Sequence, residues 1–414
     1  MTVQHRTLAL TNVLLIDGTD APAVAGATVV ITGNEIAAAG TAVTIPERAE
    51  VVDLGGKTVL PGLIDAHVHL GGLGFQNTPP FGGRAATDDY AEVLAGALRH
   101  GVTTQRSLGD FLHDSIAVRD EIANGSRVGA RIVTAGASFQ VEGGHPNASV
   151  WAGDRTTLRE AARTPRTADE AVRAVDELTA AGVDLIKIII SNNAMFGSPR
   201  PELKLPWHLT EVIVGAAHGN GLRVAAHTET LVDTRHAVEA GVDDIEHLLL
   251  GATDPRSLDE SGFDELFAVM RTEGTYLVPT MVVRQRQADE NTDARTLRHD
   301  NQLVRRAYEA GVRLGVGSDA HTVGMHGWKL RHEIVMMVHD QAIPAAAALV
   351  AATRTNAELL GKSDRLGTVE PGKLADLLVV AGNPLRDITA LANVHQVISN
   401  GAVVVDHSRR TSPE

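Results

Sequence analysis

Apolar and polar residues alternate in a regular way through the central part of the chain. Between about residues 60 and 361, short apolar runs typical of β-strands alternate with segments in which apolar residues recur every three or four positions, as they do in amphipathic helices. The strand-like runs cover residues 60–69, 102–108, 131–135, 184–191, 222–227, 244–249, 276–280 and 312–319. Eight strands, nearly all followed by a helix, predict an α/β fold of the (β/α)8 TIM barrel type.

The clearest helical segment spans residues 167–181. Thr167 and Glu170 have the spacing of a capping box, and Gly182 is placed to end the helix. Val172, Val175 and Leu178 are expected to form its buried face. The segment before it, residues 136–165, is polar and glycine-rich, and we expect it to be a long loop that shapes a substrate pocket.

The two ends of the chain have a different pattern. Residues 1–59 and 362–414 contain short strand-like runs separated by Gly, Asn and Asp turns, with no helical periodicity between them. We expect these two segments to pair in one small β-sandwich domain, attached to a metal-dependent catalytic barrel of residues 60–361. Its expected role is structural.

Composition narrows the classes of partner. The formal charge of −14 argues against a nucleic-acid partner, which would favour a basic surface. The sequence has no signal-peptide pattern and no long apolar segment, so we expect a cytoplasmic homo-oligomer that binds a small-molecule substrate and no membrane. Because there is no cysteine, a metal ion would have to be held by His, Asp, Glu or a less usual group.

Polar residues stand at the ends of several predicted strands. His67 and His69 point to the same face of the first barrel strand, because side chains along a strand alternate with a period of two. His227, His247 and Asp319 each end a later strand. The carboxyl ends of barrel strands meet at one rim, so these five residues predict a site for two divalent metal ions roughly 3.5–4 Å apart.

Lys187 is unusual in its surroundings, since it lies between Ile186 and Ile188 in the fourth predicted strand of a chain with few lysines. A buried ammonium group is costly, and burial makes a lysine lose its proton more easily. The neutral amine can react with carbon dioxide to form a carbamate, whose oxygens can bridge two metal ions. The alternative is a lysine that pairs with an anion, but the strand-end histidines favour the carbamate.

Together these features resemble the amidohydrolase superfamily, in its binuclear type with a carboxylated lysine. Within the superfamily, the chain is similar to the imidazolonepropionase-related and prolidase-like group. The motifs that carry the resemblance lie at residues 59–69, 100–106, 143–145, 240–247, 277–280, 315–320 and 366–377.

The resemblance implies a ligand set and a reaction. His67, His69 and Asp319 would hold one ion, and the carbamate of Lys187 would bridge to a second ion held by His227 and His247. A hydroxide between the ions would hydrolyse a carbon–nitrogen bond of the amide type, with Asp319 as the catalytic proton carrier. Zinc is the expected metal, and manganese, cobalt and iron are the alternatives.

The substrate is expected to be an N-acyl amino acid or a dipeptide. Alternatives are aryl amides, ureas, carbamates or cyclic imides, a mononuclear deaminase, and a non-catalytic binding relative. The candidate substrate-binding residues are His145, Arg106, Glu229, Met195, Phe196, Arg200, Met281, His321 and His326.

Three of these candidates carry a specific expectation. His145 lies where prolidase-like relatives recognise a substrate carboxylate, so a cation there would suit an acidic substrate. For Arg106, a buried ion pair is an equally good interpretation. Glu229 stands where prolidase-like relatives often have Tyr or His. It could accept a hydrogen bond from a substrate N–H group or pair with a cation.

Overall fold

The computed structural model describes residues 6–71, 87–146, 155–190, 203–248, 260–283, 294–321 and 324–408. The strands are β1 (Thr7–Leu15), β2 (Val24–Thr32), β3 (Glu35–Gly40), β4 (Glu50–Asp53), β5 (Thr58–Pro61), β6 (Leu63–Val68), β7 (Val102–Ser107), β8 (Arg131–Thr134), β9 (Ser138–Phe139), β10 (Ala162–Arg163), β11 (Leu185–Ile190), β12 (Arg223–Thr228), β13 (Asp244–His247), β14 (Tyr276–Val278), β15 (Arg313–Leu314), β16 (Leu377–Val380), β17 (Val394–Ser399) and β18 (Ala402–Asp406).

The α-helices are α1 (Thr87–Arg99), α2 (Leu112–Ala123), α3 (Arg155–Ala161), α4 (Ala168–Ala181), α5 (Trp207–Gly219), α6 (Leu231–Glu239), α7 (Glu260–Glu273), α8 (Ala294–Glu309), α9 (Trp328–His339), α10 (Ala345–Val350) and α11 (Asn356–Leu359). A π-helical segment, Ala351–Thr355, joins α10 to α11, and a short 3-10 helix covers Ile388–Ala392. In the described part of the chain, no helix has the length and apolar character needed to cross a membrane.

Parallel strands of the central segment form a closed barrel. β6, β7 and β8 make a three-stranded sheet, and β9, β11, β12, β13, β14 and β15 follow in a second sheet whose outer strand is β10. The third barrel position is shared by β8 and β9, which are separated by residues 135–137. Eight positions therefore surround the axis, as a TIM barrel requires, and the predicted fold class is confirmed.

Backbone hydrogen bonds join the two sheets on both sides. Asp184 N donates to Thr134 O at 2.8 Å, which connects β8 to β11. On the other side, Ala66 N donates to Val316 O at 3.0 Å and Asp319 N donates to His67 O at 2.8 Å. The last barrel strand therefore continues past β15 and lies directly beside β6.

Asn356 holds this closure from the helical layer. Its side chain is fully buried; Nδ2 donates to Ile64 O at 2.7 Å and to Val316 O at 2.8 Å, and Oδ1 accepts from Val316 N at 3.0 Å. A buried amide is tolerated only when its donors and acceptor have partners, and here they link the first and last barrel strands. Asn356 thus fixes the relative position of two strands that carry site residues.

A separate sheet outside the barrel is built from both ends of the chain. Its order is β18-β17-β16-β5-β1-β2-β3, with β4 beside β1. Alternate residues of these strands form a separate apolar core that includes Leu10, Val29 and Val379. This unit corresponds to the expected small β-sandwich domain. β5 crosses the expected boundary between residues 59 and 60, and the division into 1–59 with 362–414 and 60–361 stays a prediction.

Helix α4 begins and ends where the sequence predicts, but its buried face is shifted. Thr167 Oγ1 accepts from Glu170 N at 3.3 Å, and Gly182 ends the helix with a φ of 88°. The expectation for Val172 is wrong, because its side chain is 39% exposed and Ala171 is buried instead. Spacings of four and three residues from Ala171 follow the helical repeat more closely than two spacings of three.

The segment between residues 136 and 165 is not one long loop. It contains the short strands β9 and β10 and the helix α3. β9 pairs with β11, and β10 pairs with β9, so the segment extends the barrel sheet before the chain reaches α4. Strands of two residues leave too short an apolar pattern to be recognised in a sequence.

Candidate metal centre and active site

His67, His69 and Asp319 meet at the carboxyl end of the barrel. Oδ1 of Asp319 lies 3.2 Å from Nε2 of His69 and 3.6 Å from Nε2 of His67. One ligand atom from each of the three residues lies within 4.8 Å of the others. The hydrogen bonds between β6 and the last barrel strand, including His69 N to Ala320 O at 2.8 Å, bring these distant parts of the chain together.

The charges within this group are complementary. Burial alone would raise the pKa of Asp319, but the imidazoles of His67 and His69 hold it well below its ordinary value. Burial would lower the pKa of His69, but the carboxylate of Asp319 more than offsets this and raises it. Burial holds the pKa of His67 well below its ordinary value. The group is therefore a carboxylate facing two imidazoles, which is a suitable donor set for a cation.

His227 and His247 continue the same cluster of imidazoles. The ring centroids of His227 and His247 are 4.6 Å apart, and those of His67 and His247 are 5.0 Å apart. The pairing of Thr228 with His247 in the ladder between β12 and β13 sets the two strand ends side by side. Among the described His, Asp and Glu residues, only His67, His69 and Asp319 form a group of three at ligating distance. The other two histidines adjoin that group.

Lys187 lies on β11, where it pairs with Ala225 of the neighbouring strand β12. Its side chain is 1% exposed. Its Nζ has no hydrogen-bond partner in the described part of the chain. Burial lowers the pKa of Lys187 to about 8, although the nearby carboxylates of Glu246 and Asp244 oppose the shift. A buried amine without a partner is costly. As an anionic oxygen ligand, the same group would have bound cations as its partners.

Each of the four imidazoles has one ring nitrogen held by a hydrogen bond to the protein. The pairs are His67 Nδ1 with Glu246 Oε2 at 2.6 Å, His69 Nδ1 with Gly109 O at 2.9 Å, His247 Nδ1 with Thr280 Oγ1 at 2.6 Å, and His227 Nε2 with Glu229 Oε1 at 3.2 Å. A partner of this kind fixes the orientation of a metal-ligating histidine. It leaves Nε2 of three rings and Nδ1 of His227 to bind a cation.

Backbone strain accompanies these contacts. His247, Thr280 and Asp319 have positive φ values of 75°, 48° and 47°, and residues other than glycine seldom adopt this backbone conformation. Such conformations persist when the surrounding structure holds them, and they concentrate at functional sites. All three residues stand at or just beyond the ends of barrel strands.

These observations fit divalent cations. The site offers imidazole nitrogens with fixed orientation, an ionised carboxylate and an orphaned buried amine. Burial also holds the pKa of His247 well below its ordinary value, so this imidazole is neutral and able to donate a lone pair.

Arg106 lies beneath this cluster and is 1% exposed. Its NH1 and NH2 nitrogens lie 3.0 Å from the two carboxylate oxygens of Asp244, NH2 also donates to Glu246, and Nε donates to Ala66 O at 2.6 Å. The structure therefore places Arg106 in the buried ion pair that the sequence left open as an alternative to substrate binding. Glu246 also contacts His67, so the ion pair with Arg106 helps to hold the imidazole of His67 in place.

Glu246 and Thr280 support the histidine cluster but are not among the residues predicted from the sequence. A signal for Glu246 is present, because Asp244 and Glu246 are two acidic residues in a four-residue strand whose side chains are all buried. Charged groups of this kind require partners inside the barrel. For Thr280 the sequence holds no comparable signal.

His145 lies close to the histidine cluster, with its ring centroid 5.2 Å from that of His227. Burial lowers the pKa of His145 to about 3, and the neighbouring His227 adds to the effect. The imidazole is therefore neutral near pH 7, and a role for His145 in binding an acidic substrate stays a prediction. A neutral ring can still donate or accept a hydrogen bond.

The remaining candidates occupy different environments. His321 Nδ1 is hydrogen-bonded to Asp319 O at 2.8 Å. His326 is buried, and its Nδ1 accepts from Gln105 Nε2 at 3.0 Å. Met281 is buried, and its backbone N donates to Glu333 Oε1 at 2.8 Å. Met195, Phe196 and Arg200 lie outside the described residues.

The characteristic pattern of the amidohydrolase family matches residues 58–404. The chain belongs to the amidohydrolase family. It is a hydrolase that acts on carbon–nitrogen bonds, and the expected superfamily membership is confirmed.

Similar proteins agree with this membership. Imidazolonepropionase from Porphyromonas gingivalis is 23% identical over 92% of this chain and 90% of its own length. The structure of a Xaa-Pro dipeptidase with methionine bound in its active site is 30% identical, with a TM-score of 0.80, and the match covers 96% of this chain and 99% of that one. A putative prolidase from Bifidobacterium longum is 28% identical, with a TM-score of 0.77, over 96% of this chain and 94% of that one.

Proposed function

We propose that this amidohydrolase is metal-dependent and cleaves the amide-type bond of a dipeptide or an N-acyl amino acid. The observation that carries the proposal is the cluster of four anchored imidazoles beside Asp319 and the orphaned amine of Lys187. Similarity to the Xaa-Pro dipeptidase supports the substrate class.

The ring nitrogens that the protein leaves available support the ligand assignment that the resemblance implies. His67, His69 and Asp319 would hold one ion, and His227 and His247 would hold a second. Lys187, as its carbamate, would contact both. A pair of bound divalent cations would polarise the substrate carbonyl and make water a stronger nucleophile at neutral pH. Zinc suits the imidazole and carboxylate donors, and manganese, cobalt and iron remain the alternatives.

Asp319 is the group proposed to carry the proton. Its low pKa means that the carboxylate is ionised and able to accept a proton from the attacking water. As the new carbon–oxygen bond forms and the carbon–nitrogen bond breaks, the proton passes from Asp319 to the leaving nitrogen. Lys329 donates to Asp319 O at 3.2 Å and helps to hold the residue in place.

The neutral His145 supports a hydrogen-bonding role towards the substrate. Its ring packs against His227, so a substrate that reaches the second metal position would also come near His145. This contact suits an uncharged amide group as well as a carboxylate, and aryl amides, ureas, carbamates and cyclic imides remain competing substrate classes. A mononuclear deaminase would use one metal position, and the buried Lys187 on the fourth barrel strand counts against that alternative.

Two measurements test the proposal together. Protein stripped with a chelator is reloaded with zinc in bicarbonate buffer, and metal per chain is determined by mass spectrometry. The same protein is assayed for amine release from Xaa-Pro and other dipeptides, N-acyl amino acids, aryl amides, aryl ureas and carbamates, for ring opening of cyclic imides, and for ammonia release from a heterocyclic ring amine. We expect about two ions per chain and hydrolysis of the first two substrate classes.

Two results would contradict it. Turnover of ureas or cyclic imides alone would overturn the substrate class, and one ion per chain with release of ammonia from a ring amine would identify a deaminase. The cytoplasmic location and the homo-oligomeric state stay predictions.

A further inference from the structure

Glu229 forms a buried pair with His227. Glu229 follows β12 directly and is 1% exposed, and His227 is 5% exposed. Oε1 of Glu229 lies 3.2 Å from Nε2 of His227. An imidazole N–H donates and a carboxyl oxygen accepts, so in this contact the proton lies on Nε2 of His227.

The position of this proton decides which nitrogen of His227 can bind a cation. With Nε2 protonated and donating to Glu229, only Nδ1 retains a free lone pair. The ring of His227 meets that of His247 at an angle of 71°, with the centroids 4.6 Å apart. The other three rings of the cluster are held through Nδ1 instead. His227 therefore has the opposite tautomer to His67 and His69.

Glu229 also has a counterpart in the same site. Glu246 holds His67 through Nδ1 at 2.6 Å, and both glutamates are buried next to a histidine at the barrel rim. The two proposed metal positions are thus each supported by one carboxylate that contacts a ligating imidazole. A carboxylate that accepts the second N–H of a metal-bound histidine orients the ring and increases its basicity.

We propose that Glu229 is a positioning residue, which fixes His227 in the Nε2–H tautomer and presents Nδ1 to the second metal ion. This inference rests on the proposed function, because it requires metal at the second position. It differs from the expectation that Glu229 contacts the substrate. A substrate contact would affect KM, whereas a positioning contact acts on metal affinity.

The test compares zinc affinity in three forms of the full-length protein: wild type, Glu229→Gln and Glu229→Ala. Zinc is titrated against a chromogenic chelator, and the number of bound ions is counted by mass spectrometry. Removing a partner of this kind weakens metal binding by about 10- to 100-fold. We expect one of the two ions to be weakened by about this range, with Glu229→Gln at the lower end because its amide oxygen still accepts a hydrogen bond. The other ion should keep its affinity.

A matched control is Glu177→Gln. Glu177 lies on α4, its side chain is 60% exposed, and it pairs with Arg163 at 2.8 Å. The control should bind both ions as the wild type does. Thermal unfolding of the stripped proteins identifies any variant that does not fold; if Glu229→Ala fails to fold, Glu229→Gln carries the comparison.

A second measurement does not depend on affinity. In long-range proton–nitrogen spectra of the zinc-loaded protein labelled with nitrogen-15 histidine, the signals lost in His227→Asn belong to His227. These signals should show a protonated Nε2. A protonated Nδ1 would overturn the inference.

The outcomes separate the inference from the function on which it rests. If the wild type binds two ions and both Glu229 variants match it, the positioning role is overturned and the metal-dependent function stands. An increase in KM without a change in metal affinity would assign Glu229 to the substrate instead. If the wild type binds no second ion, both proposals fail together.

Discussion

Glu246 joins Arg106 to His67 in the proposed metal centre: one of its oxygens accepts from Arg106, and the other lies 2.6 Å from Nδ1 of His67. Arg106, Asp244 and Glu246 are all buried, so the site stands on an ion-pair network with almost no contact with solvent. Such a network contributes little net stability as a unit but is costly to break, because removal of one partner leaves the others charged and unpaired.

We predict that Arg106→Leu is strongly destabilised. Loss of the guanidinium leaves Asp244 and Glu246 without their cation, and breaking a buried pair costs about 3–5 kcal/mol. Urea denaturation of the stripped protein measures the change. The control is Arg305→Leu, whose partner Glu309 is as exposed as Arg305 itself and whose ion pair should contribute less than about 1 kcal/mol. Equal losses in the two variants would contradict a central role for the network.

Lys187→Arg should fold but lose metal. Arginine places a basic side chain of similar length at the same position within β11, but it stays protonated and cannot form a carbamate. We expect fewer zinc ions per chain than the wild type retains, and loss of the carbamate carbon signal from protein incubated with carbon-13 bicarbonate. Lys57→Arg, in the small domain, is the matched control and should keep both. An unchanged metal load in Lys187→Arg would remove the carbamate from the site.

Asp319→Asn should separate folding from turnover. The amide cannot accept the proton, and loss of a general acid–base group lowers the rate by roughly 10²- to 10⁴-fold. The backbone contacts of Asp319 with His67 and Lys329 are kept, so the urea midpoint should stay close to that of the wild type. Steady-state hydrolysis of the best substrate, at matched zinc content, gives the comparison. Turnover near the wild-type rate would assign the proton transfer to another group.

Glu333 should make stability depend on pH. Its carboxylate accepts from Met281 N at 2.8 Å and Val282 N at 2.6 Å, but burial raises the pKa of Glu333 to about 7 from its ordinary value of 4.5. The folded protein therefore holds this proton more tightly than the unfolded chain does. The resulting stabilisation is complete below the ordinary value and is lost as pH rises through about 7.

Glu333→Gln removes this titration. The variant should be less stable overall, because its amide group meets two backbone donors, but its free energy of unfolding should fall less between about pH 5 and pH 8 than that of the wild type. Urea denaturation across this range measures both slopes. Glu211→Gln, at an exposed position of α5, should keep the wild-type slope. Parallel curves for Glu333→Gln and the wild type would exclude Glu333 as the source.

The positions of the proposed ligands could be predicted because they depend on local patterns. His67 and His69 share a face through the two-residue repeat of a strand, and barrel topology brings Asp319 to the same rim. The partners of buried charges could not be predicted. Arg106 finds its carboxylates 138 and 140 residues away along the chain, so its role depends on which strands become neighbours.

The charge states of buried side chains could not be predicted from the sequence either. His145 is close to the expected place, but burial removes the charge that the sequence suggested. The one-position shift in the buried face of α4 has a similar origin, because both Val172 and Ala171 satisfy an apolar pattern and packing decides between them. Periodicity gives the element, and tertiary contacts give the state of each side chain.

The three hydrogen bonds of Asn356 have a consequence for how the enzyme is made. On the ribosome, His67 and the strand that carries it are synthesised long before the residue that locks them beside the strand of Asp319. A nascent chain that ends before residue 356 lacks the hydrogen bonds that join the two halves of the proposed first metal position. The proposed first metal position is therefore complete only after residue 356 has been synthesised, so we expect metal to be captured after translation has passed the barrel.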